Sequence, residues 1–600
     1  MKRFKDYLPI ILMFISFYYL DIFIRIVMYQ KEDFAFYLSI SPNLFTISYI
    51  ILFITILSLF KKNIKRILFT IFSLLMYAVT YSEYLHLNIL KRAFDTKDLF
   101  LIGEGADYFL DSIKQTDLPL LLFVITGLSF IFITQYFISK EEEKKQNNKL
   151  KKVILVSLLF IILHTNSVLF LGKGTDDIKE KQNNKKVIYT EYTNQTKSLE
   201  VSGIYELFVR SFTMYVKDTY FTNLDSNIKE INSERKEITL EPNKYSGIYK
   251  DKNVIYILME SIDSWLVNDE TMPTLSRLQR EGLNFTSRYA PAFGGGPTIN
   301  SEFAMNTGLY AETNGKSIMN YKNTYPYSLA NMLKKEGYSV ESVHFNSGKF
   351  YNRASLHKSY GYIHHSLKDD KTLNKDIDYQ YDSNLLSKDT LDYIIRDNKF
   401  LTFITTYSPH LPHNNDRSIC KTNKYNYNDS REEINCIYNL ARDTDEFIKG
   451  LIEELEKQGK LDNTILVLAT DHENNYKYFH EVIKNKDYTN DYLMKNVPLV
   501  IWSNDTKHED IDTICDTVDI LPTLFNMLGV NYDQNNYIGE DIFKENRNNF
   551  VYFDNITYFD GKLYSEKNIE ESDIEILKKI EKIRNYNKSI VITNYFKEGK

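Results

Sequence analysis

Residues that can bind a metal ion or transfer a proton follow several apolar segments in the second half of the chain. Glu260, His344, His410 and the adjacent pair Asp471 and His472 each stand at or just beyond the end of such a segment. Carboxylates and imidazoles are the usual ligands of divalent ions such as Zn²⁺ and Mn²⁺. One such residue is more often a helix cap or a surface group. Their recurrence, with Asp471 and His472 together in one predicted turn, favours a metal site.

A candidate nucleophile lies in the segment Gly294-Gly295-Gly296-Pro297-Thr298. The glycines allow the backbone to approach a ligand closely, and Pro297 suits the start of a helix. Thr298 would then lie at a helix N-terminus, where free N–H groups and the helix dipole favour a phosphate. A metal ion can lower the pKa of a threonine hydroxyl and turn it into a nucleophile. The alternative is that Thr298 only caps the helix, and the metal-ligand residues downstream favour the catalytic role.

These residues must be positioned by the elements that precede them. From Asn253 onward, short apolar segments alternate with amphipathic helical patterns, which is typical of a mainly parallel sheet covered by helices. In such sheets the ligand site lies beyond the carboxyl ends of the strands. The predicted strands are Val254–Met259, Ser339–Phe345, Phe400–Thr405, Thr464–Ala469 and Pro498–Trp502, and the predicted helices are Met272–Glu281, Tyr327–Glu336, Asp443–Gln458 and Asp519–Leu528.

The first part of the chain has a different character. Five segments are long and apolar enough to cross a membrane as helices. The first contains Asp21 and Arg25, one helical turn apart; either they form a functional pair within the membrane or they reach its interface. The predicted spans are Tyr7–Tyr29, Tyr37–Phe60, Ile67–Leu87, Leu118–Ile138 and Val153–Leu171.

Loop charges predict the orientation of these spans. The second and fourth loops are rich in lysine, and the third carries more acidic than basic residues. The N-terminus is therefore predicted to be cytoplasmic and everything after Leu171 extracellular. We predict a transmembrane domain over 1–171, a linker over 172–250 and a catalytic domain over 251–600. Within the linker, the amphipathic stretch Ile204–Phe221 either lies on the bilayer surface or packs under the soluble domain.

Composition narrows the classes of function. The formal net charge is −6 over 600 residues, and no basic cluster outside the membrane loops suggests nucleic acid. The chain has 3 cysteines, without the spacing of a zinc site or of a disulfide framework. We expect them to be ordinary thiols, and the alternative is a Cys420–Cys436 bridge in an oxidising compartment.

In combination, these features resemble the lipoteichoic acid synthase family. The resemblance rests on the five spans, the linker, and the motifs Asn253–Ser261, Thr298-x-x-Ser301-Glu302 and Thr470-Asp471-His472. That family comprises phosphoglycerol transferases of the alkaline phosphatase and sulfatase superfamily. The resemblance implies a five-helix transmembrane bundle followed by an extracellular, sulfatase-like α/β domain with a mainly parallel sheet.

The resemblance also implies roles for particular residues. Thr298 would be the nucleophile, and His410, in the family's His-x-Pro element, would face the substrate. His344 and Arg353 match a segment that grips the phosphoglycerol head group. Two departures, Tyr351 where the family commonly has Trp and the sequence Glu473-Asn474-Asn475, leave the head group and the acceptor open. The implied ion is Mn²⁺, with Mg²⁺ or Zn²⁺ as alternatives, and its implied ligands are Glu260, Thr298, Asp471 and His472.

The implied function is metal-dependent transfer of glycerol phosphate from phosphatidylglycerol to a cell-envelope polymer or glycolipid. The reaction would pass through a phosphothreonine at Thr298. One alternative is a phosphoethanolamine transferase, although such enzymes usually carry several disulfides and more histidines. Another is a catalytically silent membrane protein that binds lipid or polymer. The sequence does not indicate the acceptor, the polymer length, proteolytic release of the soluble domain or the oligomeric state.

Overall fold

The chain forms two compact units, Met1–Thr222 and Asn223–Lys600. We describe them from a computed structural model. It describes residues 2–29, 39–90, 93–96, 117–141, 149–181, 183–192, 194–220, 224–291, 296–311, 323–474, 490–554, 556–565 and 567–597.

The first unit is helical throughout its described elements. Its first five helices contain stretches that are long and apolar enough to cross a membrane, which confirms the predicted five-helix bundle. Many of their isoleucine, leucine and phenylalanine side chains are exposed, as expected where lipid rather than water surrounds the helices. The helices are α1 (Lys2–Tyr29), α2 (Ile40–Ser58), α3 (Lys62–Leu90), α4 (Leu118–Ser139), α5 (Lys149–Leu169), α6 (Lys185–Glu191) and α7 (Gln195–Tyr220).

The two charged residues of the first span pair with each other. Arg25 Nη2 lies 2.7 Å from Asp21 Oδ2, and both side chains are buried. Arg25 also donates a hydrogen bond to Asn43 Oδ1 on α2, at 2.7 Å. The pair therefore lies inside the bundle rather than at its lipid-facing surface.

The structure divides the chain at a different place from the predicted domain boundaries. The part of the predicted linker before Thr222 belongs to the first unit, where α7 packs against α1 and α2. The remainder belongs to the second unit and begins with α8 (Leu224–Glu234). The amphipathic stretch from Ile204 falls within α7, and its last residue, Phe221, lies outside the described residues.

An eight-stranded sheet forms the centre of the second unit, in the order β5-β4-β6-β1-β7-β8-β2-β9. Neighbouring strands run parallel, except that β8 is antiparallel to both β7 and β2. The prediction of a mainly parallel sheet is confirmed. The strands are β1 (Asn253–Met259), β2 (Leu283–Phe285), β4 (Ser339–His344), β5 (Ile363–Ser366), β6 (Phe400–Thr405), β7 (Thr464–Thr470), β8 (Leu499–Trp502) and β9 (Glu509–Ile511).

Five short strands lie outside this sheet. They are β3 (Arg288–Tyr289), β10 (Cys515–Asp516), β11 (Val551–Tyr552), β12 (Tyr558–Phe559) and β13 (Leu563–Tyr564).

Helices cover both faces of the sheet. The residues of β1 from Val254 to Met259 are all fully buried, as expected for a central strand of a covered parallel sheet. Alternate residues of β1 share one apolar cluster with α9 (Pro273–Glu281) and α15 (Glu432–Lys457). The other helices are α10 (Pro297–Thr307), α11 (Leu329–Lys335), α12 (Arg353–Tyr360), α13 (Lys388–Ile394), α14 (Ser418–Lys421), α16 (Ile520–Leu528) and α17 (Ile574–Thr593).

The expectation of ordinary thiols is wrong for two of the three cysteines. Cys420 on α14 and Cys436 on α15 form a disulfide across a sequence separation of 16 residues. The bridge forms because α14 folds back against α15, which begins at Glu432 rather than at the predicted Asp443. Cys515 is a buried thiol, as expected.

Loss of this disulfide is expected to destabilise the second unit. For a loop of this length, the entropy of the unfolded chain predicts a stabilisation of about 3 kcal/mol. Reduction of the wild-type protein should therefore lower the midpoint of thermal unfolding, followed by the emission of Trp265 and Trp502. The double variant Cys420→Ser, Cys436→Ser is the control and should not respond to reductant. An unchanged midpoint in a fully reduced wild-type protein would contradict the prediction.

Candidate active site

The register of two central strands brings the candidate ligands together. Met259, the last residue of β1, pairs with Thr470, the last residue of β7. Glu260 and Asp471 therefore leave the sheet side by side at its carboxyl edge, with His472 next along the chain. One ligand atom from each of these three residues lies within 4.8 Å of the others.

Thr298 completes this cluster. Its Oγ1 lies 3.2 Å from Glu260 Oε2 and 3.4 Å from His472 Nε2. Pro297 is the first residue of α10, as predicted, and the N-cap position belongs to Gly296, whose φ is 78°. The alternative role of Thr298 as the N-cap therefore does not apply. Gly294 and Gly295 of the glycine segment lie outside the described residues.

The two carboxyl groups of this cluster, Glu260 and Asp471, are close together and buried, which disfavours two negative charges. Burial and the charge of Glu260 raise the pKa of Asp471 to about 8. Burial alone would raise the pKa of Glu260, but the hydrogen bond from His472 and the charge of His410 outweigh it and lower that pKa. Asp471 Oδ2 is buried and accepts no hydrogen bond from the described residues. Two carboxylates, an imidazole and a hydroxyl facing one point fit a divalent cation of the Mn²⁺ or Zn²⁺ type.

Backbone contacts orient these side chains. Asp471 Oδ1 accepts hydrogen bonds from the N–H groups of Ser261 and His472, at 2.8 and 2.7 Å. His472 Nδ1 lies 2.8 Å from the carbonyl oxygen of Glu473, to which it donates. This contact leaves Nε2 directed at the cluster, the arrangement by which outer partners usually orient metal-binding histidines.

His344 and Arg353 lie in a buried network close to the cluster. His344, at the end of β4, donates through Nδ1 to the carbonyl oxygen of Thr405 at 2.9 Å. Burial and the charge of Arg353 lower the pKa of His344 to about 3. The ring is therefore neutral, and its Nε2 is a hydrogen-bond acceptor. Arg353 Nη1 is buried and has no hydrogen-bond partner among the described residues.

Glu302 holds Arg353 in place, a role that the sequence did not reveal. Arg353 Nε lies 3.1 Å from both carboxylate oxygens of Glu302, and His357 Nε2 lies 2.5 Å from one of them. Burial would raise the pKa of Glu302, but Arg353 and His357 lower it below its usual range. Glu302 belongs to the same motif as Thr298, one helical turn later, and a buried acid there requires cationic partners.

His410 lies at the edge of the site. Its ring stacks on Tyr407, with centroids 4.9 Å apart, and its charge is one of the causes that lower the pKa of Glu260. Arg417 supports this loop, because its Nη1 donates to the carbonyl oxygens of Ser408 and His410 at 2.6 and 2.8 Å. Arg417 directly precedes α14, which carries Cys420. The disulfide therefore lies next to the segment that supports His410.

Comparison with known proteins places this unit in a family. The sulfatase family model matches residues 252–530, which contain all of the cluster described above. This part of the chain is a sulfatase domain. It belongs to the alkaline phosphatase superfamily, as the motifs indicated.

Relatives of the sulfatase domain include lipoteichoic acid synthases. The lipoteichoic acid synthase of Staphylococcus aureus (strain bovine RF122 / ET3-1) is 27% identical over 378 residues, which cover 58% of this chain and 57% of the relative. The chain thus spans 57% of the length of the curated relatives it matches. The crystal structure of the lipoteichoic acid synthase LtaP from Listeria monocytogenes superposes with a TM-score of 0.50 at 19% identity, covering 61% of this chain and 98% of that one. This likeness shows a shared fold.

Loss of a carboxylate from the cluster of the sulfatase domain is expected to impair metal binding. Loss of a residue that only hydrogen-bonds to a metal ligand usually lowers the metal affinity about 10–100-fold. Glu260→Gln and Asp471→Asn should therefore weaken Mn²⁺ binding at least as much, measured by titration calorimetry on the purified protein. Glu341→Gln is the matched control, because Glu341 and Glu260 are each only 4% exposed and Glu341 pairs instead with His365. Wild-type affinity in the Glu260 and Asp471 variants would contradict the metal assignment.

Proposed function

We propose that this protein transfers glycerol phosphate from phosphatidylglycerol to a hydroxyl group of a cell-envelope polymer or glycolipid. The observation that carries the proposal is the position of Thr298, whose hydroxyl lies at the N-terminus of α10 against Glu260 and His472. The relatives named lipoteichoic acid synthase support the class of reaction.

Glu260, Thr298, Asp471 and His472 would hold the metal ion. We propose Mn²⁺, with Mg²⁺ or Zn²⁺ as alternatives. When bound, such an ion lowers the pKa of the threonine hydroxyl and offsets charge on the phosphate. Glu260 Oε2 accepts the hydrogen bond of that hydroxyl at 3.2 Å and therefore lies on the path of its proton.

The reaction proceeds in two transfers at one residue. Thr298 Oγ1 attacks the phosphorus of the lipid phosphodiester, the bond to the lipid oxygen breaks, and diacylglycerol leaves with a proton. The acceptor hydroxyl then attacks the phosphothreonine, the bond between phosphorus and Thr298 Oγ1 breaks, and the proton of the acceptor hydroxyl restores the hydroxyl of Thr298. Each transfer conserves the phosphodiester, so no oxidant or nucleotide is needed.

Three residues bind the substrate in this proposal. Arg353 directs its free Nη1 donor to the phosphate, as arginine commonly does. The neutral ring of His344 accepts a hydrogen bond from a head-group hydroxyl through Nε2. His410 faces the substrate from the edge of the site. Glu302 positions Arg353, and the ion pair keeps both charges satisfied in the interior.

The location follows from the same reasoning. We propose a multi-pass protein of the cell membrane, with a cytoplasmic N-terminus and an extracellular catalytic domain over 251–600. The lysine-rich second and fourth loops support this orientation. The Cys420–Cys436 disulfide supports it independently, because disulfides persist in oxidising compartments. In this orientation, the catalytic domain faces the leaflet that supplies its lipid donor.

The nucleophile can be tested with Thr298→Ala and its matched control Thr298→Ser, which keeps a hydroxyl. We expect Thr298→Ala to abolish transfer, whereas Thr298→Ser should keep part of it. Because Gly296 rather than Thr298 is the N-cap of α10, the substitution removes no helix cap, and the thermal transition should move by no more than a few degrees. Mass spectrometry after incubation with phosphatidylglycerol should detect glycerol phosphate on Thr298 in the wild-type protein. Full transfer by Thr298→Ala would exclude the proposed intermediate.

The same experiment separates the alternatives by the lipid consumed. Glycerol phosphate on Thr298 from phosphatidylglycerol supports the proposed donor. Phosphoethanolamine on Thr298 from phosphatidylethanolamine would exclude that donor and leave the role of Thr298 intact; the disulfide makes this alternative more relevant than the cysteine spacing suggested. Turnover of neither lipid by metal-loaded protein would favour a silent binding protein.

Cysteine labelling tests the orientation. Single cysteines at positions Lys62 and Asn147 should resist a membrane-impermeant thiol reagent in intact cells, and one at Asp107 should react. The wild-type protein is the control, because its cysteines are a disulfide pair and one buried thiol. The reverse pattern would place the catalytic domain inside the cell.

A further inference from the structure

The helix α7, which lies within the predicted linker, is broken at Gly203, where φ is 75° and ψ is 171°. The break separates a first part, residues 195–202, from a second part, residues 204–220. We propose that the second part of α7 is embedded in the bilayer and that its exposed face contacts lipid acyl chains. The proposal does not depend on the enzymatic activity, and it makes α7 a membrane element rather than a soluble linker.

Hydrogen bonds to the spanning helices indicate the depth of α7. Tyr205 donates to the carbonyl oxygen of Phe17 at 2.8 Å, and Tyr49 donates to Glu206 Oε2 at 2.7 Å. At 1.5 Å per residue, Phe17 lies about 15 Å along the first span from its end at Val27, and Tyr49 about 13 Å into α2. Because the apolar core of a bilayer is about 30 Å thick, these contacts lie well below the level of the span ends.

The backbone at the break is satisfied by protein rather than by solvent. In a continuous helix the N–H of Ile204 would donate to the carbonyl oxygen one turn earlier. Here it donates to Asp21 Oδ1, at 2.8 Å. A Cβ atom at Gly203 would lie only 2.6 Å from the same carboxylate oxygen. Non-helical backbone at membrane depth occurs where protein groups complete its hydrogen bonds. The pair formed by Asp21 and Arg25 therefore supports the break.

A second buried carboxylate anchors the helix beyond the break. Glu206 is 1% exposed. It accepts hydrogen bonds from the hydroxyls of Tyr49 and Tyr189 and lies 3.0 Å from His164 Nε2. Acidic residues within membrane bundles usually face the interior and have polar partners, as Glu206 does.

Beyond these contacts, α7 exposes apolar side chains. Val209 and Phe212, three residues apart, are 44% and 58% exposed. Lys217, five residues after Phe212, is also exposed, as is typical of a basic residue near the interface. Acyl chains are the occupant that this face fits, because the same unit already presents apolar side chains to lipid along its spans. In the proposed orientation the leaflet is the outer one.

Tryptophan substitutions test this location. Phe212→Trp is introduced into the full-length protein, reconstituted in vesicles of phosphatidylcholine with or without brominated acyl chains. The wild-type emission from Trp265 and Trp502 is subtracted. We expect the added emission to be shifted to the blue and largely lost in the brominated vesicles, with little quenching by aqueous iodide. Lys217→Trp, nearer the end of the same helix, is the control and should show the reverse pattern.

A second variant, Val209→Trp, guards against misfolding at one position and should behave as Phe212→Trp does. Quenching of both probes by iodide and not by brominated lipid would overturn the proposal, because α7 would then lie in water. Protection of both probes from both quenchers would overturn it as well, because a protein surface would then cover this face.

Discussion

The structure of the site depends on the parallel pairing of β1 with β7. Because Met259 pairs with Thr470, each strand delivers a carboxylate to the same point, one residue beyond its end. Both carboxylates are buried, so they repel each other in a medium that screens charge poorly. Glu260 and Asp471 are only 4% and 0% exposed, so solvent does little to offset this repulsion. A positive charge among Glu260, Asp471 and His472 relieves this conflict.

Buried acids also fix the surrounding loops. The Asp382 carboxylate accepts hydrogen bonds from the N–H groups of Tyr407 and Ser408 and from the hydroxyl of Thr444, at 2.7 to 3.2 Å. Its pKa is raised to about 7 by burial and by the charge of Asp443. Burying a carboxylate costs free energy, but hydrogen bonds from several donors hold the donor groups in a single arrangement around it. Asp382 thereby fixes the segment that leads to His410.

The same device recurs in the membrane unit. Asp21 completes the backbone of α7 at Gly203, and Glu206 joins it to helices α2 and α5. In each case the acid lies between elements that are far apart in sequence. These acids supply polar contacts between helices that apolar side chains cannot.

The sequence by itself determined the five spans, the mainly parallel sheet and the residues that meet at its edge, because each depends on local apolar periodicity and on strand ends. It left the Cys420–Cys436 bridge only as an alternative, and it did not reveal the role of Glu302 or the place of α7. These depend on contacts between distant segments: α14 folding onto α15, Arg353 reaching α10, and Asp21 meeting Ile204. Such contacts follow from how the elements pack, which no single stretch of residues encodes.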